Sequence, residues 1–298
     1  MMRSYRQLFT VFAIILLISQ RCYSQDSLEV NKKKLVTFIA SSSAIYGLSL
    51  IGLNELWYKD FPREKFHFFD DSKEWNQIDK LGHAYTAYQI SNVGYLWLKS
   101  ANVQDRKAYL YGGLVGVLFM TPIEILDGYS SEYGASISDM VFNFGGAAFY
   151  AAQGVIWKEQ RLIFKISFQR TEYASLRPSV LGENYIQEAI KDYNGHTGWI
   201  SVDLYSFMKK ESNFPKWLNV AVGYGAQEMI YANNVNNKAF GLNPYRQYYL
   251  GLDIDLSHIP TKSKFLKALL KTVNLIHLPA PTLEFTEKGK IRFHPLYF

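Results

Sequence analysis

The hydrophobic pattern of this chain changes period once, and the change divides it. Before Lys158 the apolar residues come in long segments: Leu35 to Leu53 without a single charge, His83 to Leu98, Ala108 to Ile125, and Met140 to Trp157. Segments of that length predict helices. Gly112, Gly113, Gly116, Gly145, Gly146 and Gly154 fall inside them. Each glycine costs a helix in water about 1 kcal/mol relative to alanine, so their presence predicts helices packed closely on small residues. After Lys158 the apolar period becomes two, at Leu162 to Phe168, Trp199 to Tyr205, Leu218 to Tyr224 and Tyr249 to Leu256. These are strand patterns. Leu283-Glu284-Phe285 and Ile291-Arg292-Phe293 flank Lys288-Gly289-Lys290, which predicts a hairpin. Lys262 to Val273 reads as a short amphipathic helix, and Asn233 to Asn237 and Asn243-Pro244 read as turns. The expected fold class is α+β: an N-terminal four-helix bundle over residues 25–157, then an antiparallel β region over 158–298.

The first residues change the picture from fold to address. Arg3 and Arg6 precede an apolar stretch from Leu8 to Ile18, and Cys22-Tyr23-Ser24 places small residues ahead of Gln25. This order predicts a secretory signal peptide over residues 1–24, cleaved after Ser24. Cys22 is the only cysteine. Arg21 before it suits a lipid attachment site poorly, and a mature chain without cysteine rests on packing alone. Charged residues make up 19% and aromatics 16% of the chain, a balance that fits a membrane-associated or envelope protein. The net charge of +6 is mild and no Lys/Arg block is interleaved with aromatics, which argues against nucleic acid as a partner. The aromatic ending Leu296-Tyr297-Phe298 is like that of outer-membrane proteins, although the strands are fewer than the eight of the smallest such barrels.

Three polar clusters interrupt the ends of the apolar segments, where polar groups are costly unless paired or functional. They are Asp79-Lys80-Leu81-Gly82-His83, Glu124 to Gly128, and Ser138-Asp139 with Asn143. In an up-and-down bundle all three fall at the same end. Asp79 and His83 are four apart and share a helix face, as do Asp139 and Asn143. Three readings stay open. The residues form a polar network and helix caps; or Asp79, His83, Glu124, Asp127 and Asp139 hold a divalent metal of the zinc or manganese kind; or His83 acts as general acid or base with a carboxylate orienting it. The candidate catalytic residues are His83, Asp79, Glu124 and Asp139, and the candidate binding residues are Lys80, Asp127, Ser138 and Asn143. The sequence specifies no cofactor and no oligomeric state, and neither an HExxH nor a GxSxG motif occurs.

The order Asp79-Lys80-x-x-His83, Glu124-x-x-Asp127 and Ser138-Asp139-x-x-x-Asn143-x-x-Gly146 resembles the YfiM-like family, a domain of unknown function (2279) of predicted periplasmic lipoproteins. It is similar, more distantly, to the VanZ-like membrane proteins linked to glycopeptide resistance. Lys191 to Gly195 and Trp217 to Gly225 resemble an extended form found in bacterial envelope proteins. The resemblance implies an envelope location and supplies no activity.

Charge asymmetry adds a side. The mature N-terminus, the loop Lys99 to Lys107 and the segment Lys158 to Arg170 are basic and fall at one end of the bundle, whereas the loop Glu55 to Asp79 is acidic. A cytoplasmic basic side conflicts with a cleaved signal peptide. A periplasmic bundle packed on, or embedded in, the outer membrane removes the conflict. The expected function is a structural or binding role there, toward membrane lipid or other envelope material. The alternative is a membrane-associated hydrolase or transferase built on the His/carboxylate site.

Overall fold

The computed structural model describes residues 29–58, 61–209 and 212–298. The expected signal peptide, Cys22 included, lies outside the described residues.

Four long helices come first. They are α1 (Lys32–Leu53), α2 (Ile78–Ser100), α3 (Asp105–Asp127) and α4 (Ile137–Trp157). The side chain of Asn31 caps α1 and that of Ser136 caps α4, each accepting a backbone N–H three residues on. Helices α2, α3 and α4 pack tightly on one another, and the glycines show how. A Cβ at Gly146 would collide with the backbone of Ala84, and one at Gly116 would collide with the Ser91 hydroxyl and the Ala87 carbonyl. Helix α1 leans on the other three more loosely, through stacking of Phe38 on Trp97 and a 2.7 Å bond from the Tyr46 hydroxyl to the Phe119 carbonyl.

A six-stranded antiparallel sheet follows, with strands in sequence order: β1 (Leu162–Phe168), β2 (His196–Val202), β3 (Leu218–Gln227), β4 (Tyr245–Ile254), β5 (Ala280–Thr286) and β6 (Ile291–Tyr297). The α+β class is as expected, and so is the hairpin of β5 and β6. Short helices α5 (Tyr173–Leu176), α6 (Pro178–Leu181) and α7 (Tyr185–Lys191) lie between β1 and β2. Three expectations need correction. The strand expected over Tyr249 to Leu256 runs from Tyr245 and ends at Ile254, because the Asp255 side chain caps a 3-10 turn over Leu256–His258. Residues 233–237 are not a plain turn: the Asn233 side chain caps a one-and-a-half-turn helix α8 (Asn234–Ala239). Strand β2 stops at Val202, because the Asp203 side chain caps a 3-10 turn over Leu204–Phe207. The amphipathic segment is helix α9 (Lys264–Val273), between β4 and β5.

The sheet lies along the bundle. Phe164 of β1 packs against Tyr85 and Tyr88 of α2, Gln89 donates to the Phe164 carbonyl at 2.8 Å, and Gly198 of β2 faces Leu81. The sheet is also strongly rolled. Lys165 on β1 reaches Asp253 on β4 at 2.7 Å, and residues 275–277 pair with Ile166 beyond the β1 edge.

The rolled sheet is polar inside. Its buried face carries Lys165, Ser167, Thr197, Ser201, Asn219, Gln247, Asp253, Thr282 and Glu284, with Trp199 stacked on His277. Several of these groups pair with one another: Ser201 donates to Asp253, Asn219 to Ser201, and Gln247 to Glu284. The outward face is apolar. Val222, Leu250, Leu252, Leu283, Phe285, Ile291, Phe293 and Leu296 are exposed. The bundle's free faces are apolar too, with Ile45, Leu48, Ile51, Leu110, Leu114, Val141, Phe144 and Ile156 exposed.

Candidate functional site

The lead-in to α2 is an unusual backbone. Trp75, Asn76 and Gln77 all have positive φ (46°, 46° and 66°), a conformation costly for residues with a Cβ. Outside contacts hold it. Trp75 N–H donates to the Ala232 carbonyl at 2.8 Å, the Tyr224 hydroxyl to the Asn76 carbonyl at 2.5 Å, Asn234 to the Asn76 side chain at 2.9 Å, and Arg246 to the Gln77 side chain at 2.8 Å. The ends of β3 and β4 therefore fix where α2 begins, and so where Asp79, Lys80 and His83 point.

Lys80 is the centre of the cluster. Its side chain is 1% exposed, and Nζ lies 2.6 Å from Asp71, 2.6 Å from Asp139 and 3.1 Å from Asp79. Asp71 comes from the loop before the strained lead-in. It also accepts from the hydroxyls of Ser136 at 2.5 Å and Ser138 at 2.8 Å, tying that loop to the start of α4. Burial works against its charge, but the bonds from Lys80, Ser136 and Ser138 outweigh it and hold its carboxyl down at about 2. Nearby Glu74 has no such donors among the described residues, only the more distant charge of Lys80. Burial first, and then the charge of Asp71, lift it to about 7. A buried lysine needs such partners: an unpaired ammonium would cost several kcal/mol.

His83 forms the second half. Its Nδ1 lies 3.1 Å from Asn143 Oδ1 and 3.4 Å from Glu124 Oε1, and Asn143 Nδ2 donates to Glu124 Oε1 at 3.2 Å. With Asn143 Oδ1 as acceptor, the proton sits on Nδ1. Glu124 is fully buried and also accepts the Ser136 backbone N–H at 3.4 Å. The other ring nitrogen, Nε2, faces Asp139 Oδ2 at 3.7 Å and Asp79 Oδ1 at 3.9 Å, beyond hydrogen-bond range. The Tyr193 hydroxyl donates to Asp79 Oδ1 at 2.7 Å; burial first, and then the charge of Asp79 and this bond, lift its ionisation well above the usual tyrosine value.

The cluster thus brings together Asp79, Lys80, His83, Glu124, Ser138, Asp139 and Asn143 from three helix ends. Asp127 gives its carboxylate to the Tyr58 hydroxyl at 2.6 Å and reaches the cluster only through its charge. Sequence reasoning missed Asp71, Ser136 and Tyr193. Tyr193 does fall within the Lys191 to Gly195 stretch, whose link to the helical motif is now physical. Chemically, the arrangement holds a cation, orients one imidazole nitrogen and leaves the His83 ring 15% exposed.

No curated protein and no solved structure matches the chain. Residues 67–153 match the DUF2279 family, described as predicted periplasmic lipoprotein. The matched stretch, under a third of the chain, contains every helix-borne residue of the cluster; this part of the chain is similar to that family, and the protein is one of the cell envelope.

Proposed function

We propose that this protein is held by lipid at the outer membrane, with the bundle and the rolled sheet sharing one lipid-facing exterior, and that its role there is binding. The observation that carries the reading is the inverted sheet. A sheet in water buries its apolar face; this one buries its polar face and presents Leu250, Leu252, Phe285 and Phe293 outward. That alternation is the pattern of a strand between lipid and a polar interior. The dimensions agree. Helices α1 and α3 have 22 and 23 residues and strands β3 and β4 have 10, each about 33 Å long against a hydrocarbon core of about 30 Å.

Helix α9 supports the same reading from a different direction. Lys264, Lys267 and Lys271 lie on one side, Phe265, Leu266 and Leu269 on the other, and no residue of the helix is buried. A short helix with lysines on one face and bare apolar side chains on the other suits the headgroup boundary. It leaves β4 at the Ile254 end, away from the end that touches Asn76 and Gln77. The polar cluster then lies at the opposite end of the molecule, where the acidic loop residues gather. Pro295 in β6 lacks a backbone donor, as suits a strand with no further neighbour.

Alkaline carbonate washing of envelopes tests the reading. The protein is expected to stay with the membrane pellet. Full release into the supernatant would contradict it. A second reading, a membrane-associated hydrolase or transferase, draws on one feature only: a partly open His83 ring facing two carboxylates.

A further inference from the structure

We infer that His83 Nε2, Asp79 Oδ1 and Asp139 Oδ2 form a binding site for one divalent metal ion of the zinc or manganese class. The ligand atoms these three residues offer lie within 4.8 Å of one another. The two His83–carboxylate separations, 3.7 and 3.9 Å, are too long for hydrogen bonds. They are a few tenths of an ångström wider than two ligands at about 2.1 Å from a shared metal require. The site is independent of how the protein meets lipid.

Three features favour a metal over an empty gap. The first is orientation. Asn143, itself held by Glu124, takes the Nδ1 proton and leaves Nε2 as the coordinating nitrogen, the arrangement that orients metal-bound histidines. The second is the division of the carboxylate oxygens. Lys80 pairs with Asp79 Oδ2 and Asp139 Oδ1, which turns Asp79 Oδ1 and Asp139 Oδ2 toward His83. Asp139 is 5% exposed, and its Oδ2 lies 3.7 Å from His83 Nε2. The third is charge. Asp71, Asp79, Asp139 and Glu124 set four carboxyls against Lys80 and His83. With His83 neutral, as a coordinating imidazole must be, the ionised cluster carries three negative charges in excess, two of which a divalent ion would offset. One imidazole with carboxylates suits borderline and hard divalent ions. Tyr193, bonded to Asp79, completes the outer ring.

The test uses the full chain, purified in detergent and stripped by chelator. Titration with Zn2+ and Mn2+ is followed by calorimetry and by melting temperature. The expected result is one equivalent bound and a raised melting temperature. His83→Asn should weaken binding at least 100-fold, Asn143→Ala should weaken it 10- to 100-fold, and Lys264→Gln, on the exposed helix α9 at the far end of the molecule, should leave it unchanged. Should a variant fail to fold, wild-type protein loaded with Co2+ decides the matter. One paramagnetically shifted exchangeable proton, from the His83 Nδ1–H, supports the site. No metal uptake by wild type, equal affinity in a folded His83→Asn protein, or Co2+ bound without that signal would each overturn it.

Discussion

Lys165 on β1 and Asp253 on β4 meet at 2.7 Å with neither side chain exposed. Two strands lie between them, so the contact closes across the hollow of the rolled sheet. Asn274 and the Ile254 carbonyl accept the remaining lysine protons, and Ser201 donates to the carboxylate. Removing one partner strands a buried charge. Asp253→Leu or Lys165→Met alone is expected to cost about 3 to 5 kcal/mol. The double variant should recover much of that, because two apolar side chains remove both charges together. Unfolding of the four proteins in the same detergent measures the cycle; equal losses that simply add would show that the pair is not coupled.

Adjacent glycines in α4 should respond with opposite signs. A Cβ at Gly146 would run into the backbone of Ala84, whereas one at Gly145 meets nothing within 4 Å. Gly146→Ala must force α2 and α4 apart and is expected to cost about 1 to 3 kcal/mol. Gly145→Ala gains helix propensity and should stabilise by up to about 1 kcal/mol. Melting temperatures of the two variants check this, and a neutral Gly146→Ala would mean that the helices are less close than described.

Glu74 gives the metal-free protein a pH dependence. Its carboxyl is lifted from 4.5 to about 7, so the folded state holds its proton more tightly than the unfolded chain does. That stability is fully present below about pH 4.5 and is lost as the pH rises through about 7. Because the group is only partly buried, solvent screening should limit the loss to about 1 to 2 kcal/mol. Glu74→Gln should flatten stability across this window. An unchanged slope in the variant would assign the dependence to other groups.

Helix α9 should discriminate between lipid surfaces. Lys264, Lys267 and Lys271 predict tighter docking of this helix on anionic than on zwitterionic vesicles. Each lysine replaced by glutamine should weaken that docking about fivefold. A fluorophore on a cysteine introduced at position 265 of the mature chain, which has no other cysteine once residues 1–24 are removed, reads the docking directly; emission insensitive to lipid charge would remove the helix from the interface.

The fold was legible wherever apolar spacing alone decides structure. Long apolar runs gave α1 to α4, and Leu162 to Phe168 matches β1 to the residue. Alternation in Tyr249 to Leu256 announces a strand but does not say which face turns inward. The default in water would bury Leu250 and Leu252, and the structure instead buries Tyr249, Gly251 and Asp253. Only the rolling of the sheet, a long-range property, reveals that. In the cluster, His83, Glu124, Asp139 and Asn143 could be brought to one end because helices of similar length alternate in direction. Asp71 and Ser136 come from loops with no periodic signal. Tyr193 reaches Asp79 across 114 positions. The left-handed run at Trp75 to Gln77 contains no glycine to announce it, since contacts from β3 and β4 impose it.

The lipid-facing exterior is tested most directly by spin labels on the two faces of one strand. Labels at Leu250 and, on β5, Phe285 are compared with one at Gln247, which points inward, and with one at Glu132 near the polar cluster. All are placed in full-length protein in vesicles, and collision rates with oxygen and with a water-soluble nickel complex are recorded. The account predicts high oxygen and low nickel accessibility at 250 and 285, low accessibility to both at 247, and high nickel accessibility at 132. High nickel accessibility at 250 and 285 would place that face in water and contradict the account.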